Sequence, residues 1–115
     1  MIGEEAVVST TTTRDATVIS LRGEVDEDNA PLLASALAQA LASGPPRTVV
    51  DLSGTPFVDS SVLHALLDAR RAHAAAGVPL VLAGPLQTAV RRLFEVTGSA
   101  GAFRMADSLA AAMTC

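Results

Sequence analysis

The sequence contains no lysine, tyrosine or tryptophan, and its single cysteine, Cys115, is the last residue. One cysteine excludes an intrachain disulfide and a cysteine-based metal centre. With three Phe as the only aromatics, there is no platform on which nucleic-acid bases could stack, and the core must be built from Leu, Val, Ile and Ala. Basic charge comes from 8 arginines set singly or in pairs against 12 acids, for a net charge of −4. Nucleic acids and anionic membranes both require a concentrated basic patch, so neither is an expected partner. Asp, Arg, Gly and Pro interrupt every apolar run well short of the ~20 residues of a membrane-spanning helix, so direct membrane insertion is not expected. Met1-Ile2-Gly3-Glu4-Glu5 is acidic where a signal peptide is basic, which makes the cytoplasm the expected location.

What remains is a chain that can fold. Half of its 115 residues are hydrophobic and 17% are charged, a balance that supports one buried core and opposes disorder. The expectation is a single domain over residues 1–115, with its core at about 6–112. Ala6 to Thr13 is rich in β-branched residues but poor in large apolar ones, which predicts an edge strand. Arg14-Asp15 is its turn, and Thr17 to Arg22 predicts a second strand, closed by Gly23. Asp28-Asn29-Ala30-Pro31 reads as a helix start, followed by Leu33, Leu37 and Leu41 along one stripe and by the stop Ser43-Gly44-Pro45-Pro46.

Thr48 to Leu52 predicts a short central strand, followed by a loop. A helix from Ser60 to Ala76 would turn Val62, Leu63, Leu66, Leu67 and Ala69 inward, and Ser61, His64, Asp68 and Arg71 outward. Pro79 to Ala83 predicts a further strand, and Leu86, Val90 and Phe94 mark a helix stopped at Gly98. A short strand near Ala102-Phe103-Arg104 and an Ala-rich helix from Asp107 complete the pattern. Strands alternating with helices imply parallel pairing, whereas a two-residue turn joins only antiparallel strands. The fold class is therefore α/β: one mixed sheet of about five strands with about four helices.

Two segments could carry chemistry. In Phe57-Val58-Asp59-Ser60-Ser61-Val62, hydroxyls and a carboxylate open a helix, where unpaired N–H groups and the helix dipole favour an added negative charge. The plain alternative is that Asp59, Ser60 or Ser61 simply caps the helix. Ser60, His64 and Asp68, each one turn apart, could share an edge like a hydrolase triad. The segment nevertheless lacks both glycines of a nucleophile elbow. In Gly23-Glu24-Val25-Asp26-Glu27-Asp28-Asn29, three successive acids lack the alternation of a Ca²⁺ loop, and an acidic first helical turn explains them. His64 and His73 have no metal-site spacing, and no phosphate loop or dinucleotide fingerprint is present. No metal and no cofactor are expected.

In this order and spacing, Gly23-Glu24-Val25-Asp26, Asp51-Leu52-Ser53, Phe57-Val58-Asp59-Ser60-Ser61 and Arg92-Leu93-Phe94-Glu95-Val96-Thr97-Gly98 resemble the STAS-domain family, in particular the bacterial anti-sigma factor antagonists. The similarity runs from about Ala6 to Ala112. It implies a non-enzymatic binding protein in which Ser60 is phosphorylated by an anti-sigma factor that is itself a serine kinase, and a cognate phosphatase reverses the modification. It also implies that the unphosphorylated form binds the anti-sigma factor and frees the sigma factor. Asp26, Asn29, Asp59, Ser61, His64, Asp68 and Arg71 are then the expected partner-binding residues. Val62 stands where the family usually has glycine. Other family members serve as scaffold subunits of stress-sensing or membrane lipid-transport complexes, which is the alternative role.

Overall fold

The structure, a computed structural model, describes residues 7–115; the expected strand start at Ala6 lies outside these residues. β1 (Val7–Thr12) and β2 (Thr17–Val25) pair antiparallel across the turn at Arg14-Asp15. Thr13 closes this turn, donating its hydroxyl to the Ala16 carbonyl at 3.1 Å and accepting the Ala16 N–H at 3.2 Å. The next elements are α1 (Ala30–Ser43), β3 (Thr48–Val58), α2 (Ser60–Ala76), β4 (Leu80–Ala83), α3 (Thr88–Val96), β5 (Arg104–Ala106) and α4 (Leu109–Ala112). The strands lie side by side in chain order, β1-β2-β3-β4-β5, and every pair after the first is parallel. This is the expected mixed sheet of five strands with four helices.

Alternation along the central strands divides the core in two. Ile19, Leu21, Val50, Leu52, Leu80 and Leu82 face one side, where they bury Leu33 and Leu37 of α1, Leu63 and Leu66 of α2, and Val90 and Phe94 of α3. Val49, Val81 and Ala83 face the other, covered by Ala112 of α4. Val49 pairs with Val81 and Thr48 with Leu80, so β3 and β4 are parallel neighbours. Leu37, Leu66 and Phe94 are all at most 1% exposed. Phe94 meets the ring of Phe103 edge to face, centroids 5.6 Å apart, the arrangement that ring quadrupoles favour. α2 ends at Gly77, whose φ of 74° releases its N–H to Ala74 while the next N–H, of Val78, reaches the His73 carbonyl at 2.9 Å.

Several boundaries differ from expectation. β2 continues through Gly23, at φ 75°, to Val25. β3 continues past Leu52 to Val58, across Gly54 and Pro56, where a loop was expected. The register explains why: Ser20, Arg22 and Glu24 oppose Asp51, Gly54 and Phe57, so each two-residue step in β2 spans three in β3. The two extra residues are bulges, which accept a proline without an N–H donor and a glycine at close quarters. A Cβ on Gly54 would lie 3.2 Å from Cγ of Arg22 and 3.3 Å from the Leu21 carbonyl. Thr55, fully buried, secures the bulge by donating its hydroxyl to the carbonyls of Gly23 and Phe57.

The last strand begins at Arg104, because Ala100–Ala102 forms a 3₁₀ turn that drives Phe103 into the core. α4 is a single turn from Leu109, with the Ser108 hydroxyl accepting the Ala111 N–H at 3.0 Å, and does not begin at Asp107. Leu41, Leu67 and Ala69 are only half-buried, at the margins of their stripes.

Candidate phosphorylation and docking site

α2 opens where β3 ends. Asp59 is its N-cap: extended backbone (φ −104°, ψ −177°) brings one carboxylate oxygen, Oδ1, to accept the N–H groups of Ser61 at 3.0 Å and Val62 at 3.2 Å. Of the three candidate caps, Asp59 therefore does the capping. Ser60, the first helical residue, is exposed, and its hydroxyl makes no hydrogen bond among the described residues. Ser61 is half-buried beside it. Val62 is fully buried, so the larger side chain at the family's usual glycine position lies in the core and leaves the outer surface unchanged.

The segment after β2 is braced differently from expectation. Asn29 is the N-cap of α1 by position, but its backbone is helical and its side chain does not cap. Asn29 Oδ1 instead accepts the Asp26 N–H at 3.3 Å, Asp26 Oδ1 accepts the Asp28 N–H at 3.0 Å, and the Asp26 carbonyl accepts the N–H groups of Asn29 and Ala30. Asp26, Glu27 and Asp28 precede the helix, and its first turn carries no acid.

Parallel pairing joins the two segments. Val25 is in register with Val58, so Asp26 and Asp59 leave adjacent strands at the same end of the sheet. Asp26, Asn29, Asp59, Ser60 and Ser61 are thereby brought together. His64 is exposed and lies one turn further along α2, about 6 Å of helix rise from Ser60. Asp68 and Arg71 pair with each other at 3.1 Å, both about three-quarters exposed (76% and 72%), and Arg71 is about 16 Å of helix rise from Ser60. They lie on the flank of α2, away from its tip. Among the described residues no hydrogen bond links Ser60, His64 and Asp68, and Asp68 is committed to Arg71.

Two apolar side chains at this end were not among the expected contacts. Phe57, the register partner of Glu24, is 45% exposed, and Leu32, in the first turn of α1, is 60% exposed. The signal for Leu32 was its phase, one residue off the Leu33–Leu37 stripe. For Phe57 it was the buried Val58 next to it, which turns the ring outward. Behind them, the Gln87 amide donates to the Ser53 carbonyl at 3.0 Å, tying the β4–α3 loop to the bulged part of β3.

The family model described as the Mlab, STAS domain matches residues 8–109, and the chain belongs to the STAS-domain family. No curated protein matches its sequence. Among solved structures it is similar to an anti-sigma factor antagonist from Mycobacterium paratuberculosis (25% identity, 98% of this chain and 97% of that one, TM-score 0.84). A putative anti-sigma factor antagonist from Thermotoga maritima aligns over 93% of this chain and 92% of its own, at 19% identity and TM-score 0.82. The Bacillus cell fate determinant SpoIIAA in its phosphorylated form aligns over 88% and 92%, at 23% identity and TM-score 0.68. No helix among the described residues is long and apolar enough to cross a membrane.

Proposed function

We propose that the chain is a cytoplasmic, phosphorylation-switched binding protein, not an enzyme: an anti-sigma factor antagonist. Unphosphorylated, it docks on an anti-sigma factor that is a serine kinase and so releases a sigma factor; a cognate phosphatase restores it after phosphorylation of Ser60. The observation that carries this reading is the division of labour at the head of α2. Asp59 holds the helix end, and the Ser60 hydroxyl is left free and exposed for a kinase. A phosphate there adds about −1.5 to −2 charge at pH 7 to a surface already bearing Asp26, Glu27, Asp28 and Asp59. It also has to lose its hydration to be covered by a partner. Both effects oppose docking without any refolding of the domain. The test is incubation with a purified kinase-type anti-sigma factor and ATP, followed by intact mass. One phosphate on the wild type and none on Ser60→Ala is expected, and failure of the wild type both to bind and to be modified defeats the reading.

A second role, as a scaffold subunit of a stress-sensing or lipid-transport complex, uses the same end of the sheet. It is favoured by the exposed Phe57 and Leu32, which offer apolar contact whether or not Ser60 is modified. A partner captured equally by wild type and Ser60→Asp would point to this role.

A further inference from the structure

The last part of β3 has one strand partner among the described residues. β4 ends at Ala83, opposite Asp51, so from Ser53 to Val58 the strand is held in the sheet by β2. Beyond the bulge, that contact comes down to two register pairs, Glu24↔Phe57 and Val25↔Val58, which lead straight into Asp26 and Asp59. The bulge itself weakens the join. Gly23 stands against both Thr55 and Pro56, and Pro56 has no N–H to donate. Thr55 supplies a donor in its place. It is fully buried, and its hydroxyl reaches the Gly23 carbonyl across the strands, with the Phe57 carbonyl also within reach at 3.0 Å.

We infer that Thr55 is a positioning residue for the Ser60 site: its hydroxyl fixes the ends of β2 and β3 against each other and so holds Asp26, Asp59 and Ser60 as one docking surface. The inference rests on the docking role proposed above and adds a residue that no partner can touch. Each loop is braced within itself, Asp26 by Asn29 and Asp59 by the first turn of α2. Those local bonds set the shape of each loop but not the spacing between the two. Val25 and Val58 are buried and resist opening, but apolar contact is non-directional and a hydrogen bond is not. A partner that touches both loops needs their spacing, and its affinity falls with the fraction of molecules in which the strand ends have parted.

The test compares Thr55→Ala with Thr55→Ser, which differ by the hydroxyl alone. In hydrogen-exchange mass spectrometry well below each melting midpoint, Thr55→Ala should exchange at least about fivefold faster over residues 23–29 and 57–62. It should also bind a purified kinase-type anti-sigma factor at least about threefold more weakly in calorimetric titration. Thr55→Ser should restore both, and Thr55→Val, which fills the site without a hydroxyl, should follow Thr55→Ala. Val81→Ala trims the opposite sheet face under Ala112, so it lowers stability away from the strand ends and should leave affinity unchanged. Wild-type exchange in both segments of Thr55→Ala overturns the inference. So does full affinity in that variant, or an equal loss in Val81→Ala, which would make the effect one of general stability. A wild type that binds no such partner defeats the functional reading instead, and the exchange comparison then decides alone whether Thr55 fixes the two loops.

Discussion

Val25 and Val58 stand side by side at the carboxyl ends of β2 and β3, so the residues that follow them, Asp26 and Asp59, leave the sheet together. Everything distinctive about the candidate site follows from that pairing. Each aspartate then does a different local job: Asp26 closes its own loop with Asn29, and Asp59 caps α2.

Asp59→Ala removes the acceptor for two backbone N–H groups at the α2 terminus. Loss of an N-cap of this kind typically destabilises by about 1 kcal/mol. Chemical denaturation should show that loss, and Asp59→Asn should recover most of it, because an amide oxygen also accepts. A full loss in both variants would mean that the charge, not the cap, is what stabilises the helix end.

His73 is 1% exposed, with Nδ1 2.8 Å from the Ala69 carbonyl and Nε2 2.9 Å from the Thr48 hydroxyl. A carbonyl only accepts, so Nδ1 donates and, in the neutral ring, Nε2 accepts from Thr48. His73→Ala leaves a cavity and strands a buried hydroxyl. A loss of about 3 kcal/mol is expected, larger than for Asp59→Ala. Urea denaturation of the two variants side by side decides the order.

Thr17, the register partner of Thr48, is buried, and its hydroxyl has no hydrogen-bond partner among the described residues. Thr17→Val keeps the shape and removes an unsatisfied polar group. It should raise stability by about 1 kcal/mol, seen as a higher denaturation midpoint at an unchanged slope. A drop in stability would show that the hydroxyl is satisfied after all.

The helix α2 was legible in the sequence because two independent signals coincide: Val62, Leu63 and Leu66 set its phase, and Asp59-Ser60-Ser61 marks its start. The end of β3 was not legible. Gly54 and Pro56 have loop propensities, and what keeps them in the sheet is pairing with β2 and the buried Thr55 hydroxyl, both long-range. Asn29 shows a subtler limit. Asp28-Asn29 announces a helix start, but which side chain caps and which closes the preceding loop depends on backbone angles that composition does not specify. Helical phase turned His64, Asp68 and Arg71 outward, and all three are exposed, whereas Ser61 is half-buried. Helical phase alone put Asp68 and Arg71 on the same outer stripe as His64, but that stripe runs away from the sheet end toward the other pole of α2.

If charge at the interface operates the switch, Ser60→Asp should weaken binding to the kinase-type anti-sigma factor and leave the fold intact. Ser60 is exposed and its hydroxyl makes no hydrogen bond among the described residues, so the change in stability should stay within about 0.5 kcal/mol. The binding loss should exceed that, because like charges brought together across an interface cost several kcal/mol. Ser60→Ala should bind as the wild type does and resist modification. His64→Ala should weaken binding more than Arg71→Ala, since His64 lies one turn from Ser60 and the exposed Arg71–Asp68 pair sits on the flank. Salt dependence separates the two ways in which a negative charge can oppose docking. Repulsion among exposed carboxylates is screened over about 8 Å at physiological ionic strength, so added salt should narrow the gap between wild type and Ser60→Asp. A gap that salt leaves unchanged would assign the effect to desolvation of the added charge, and equal affinities of the two proteins in calorimetric titration would defeat the switch altogether.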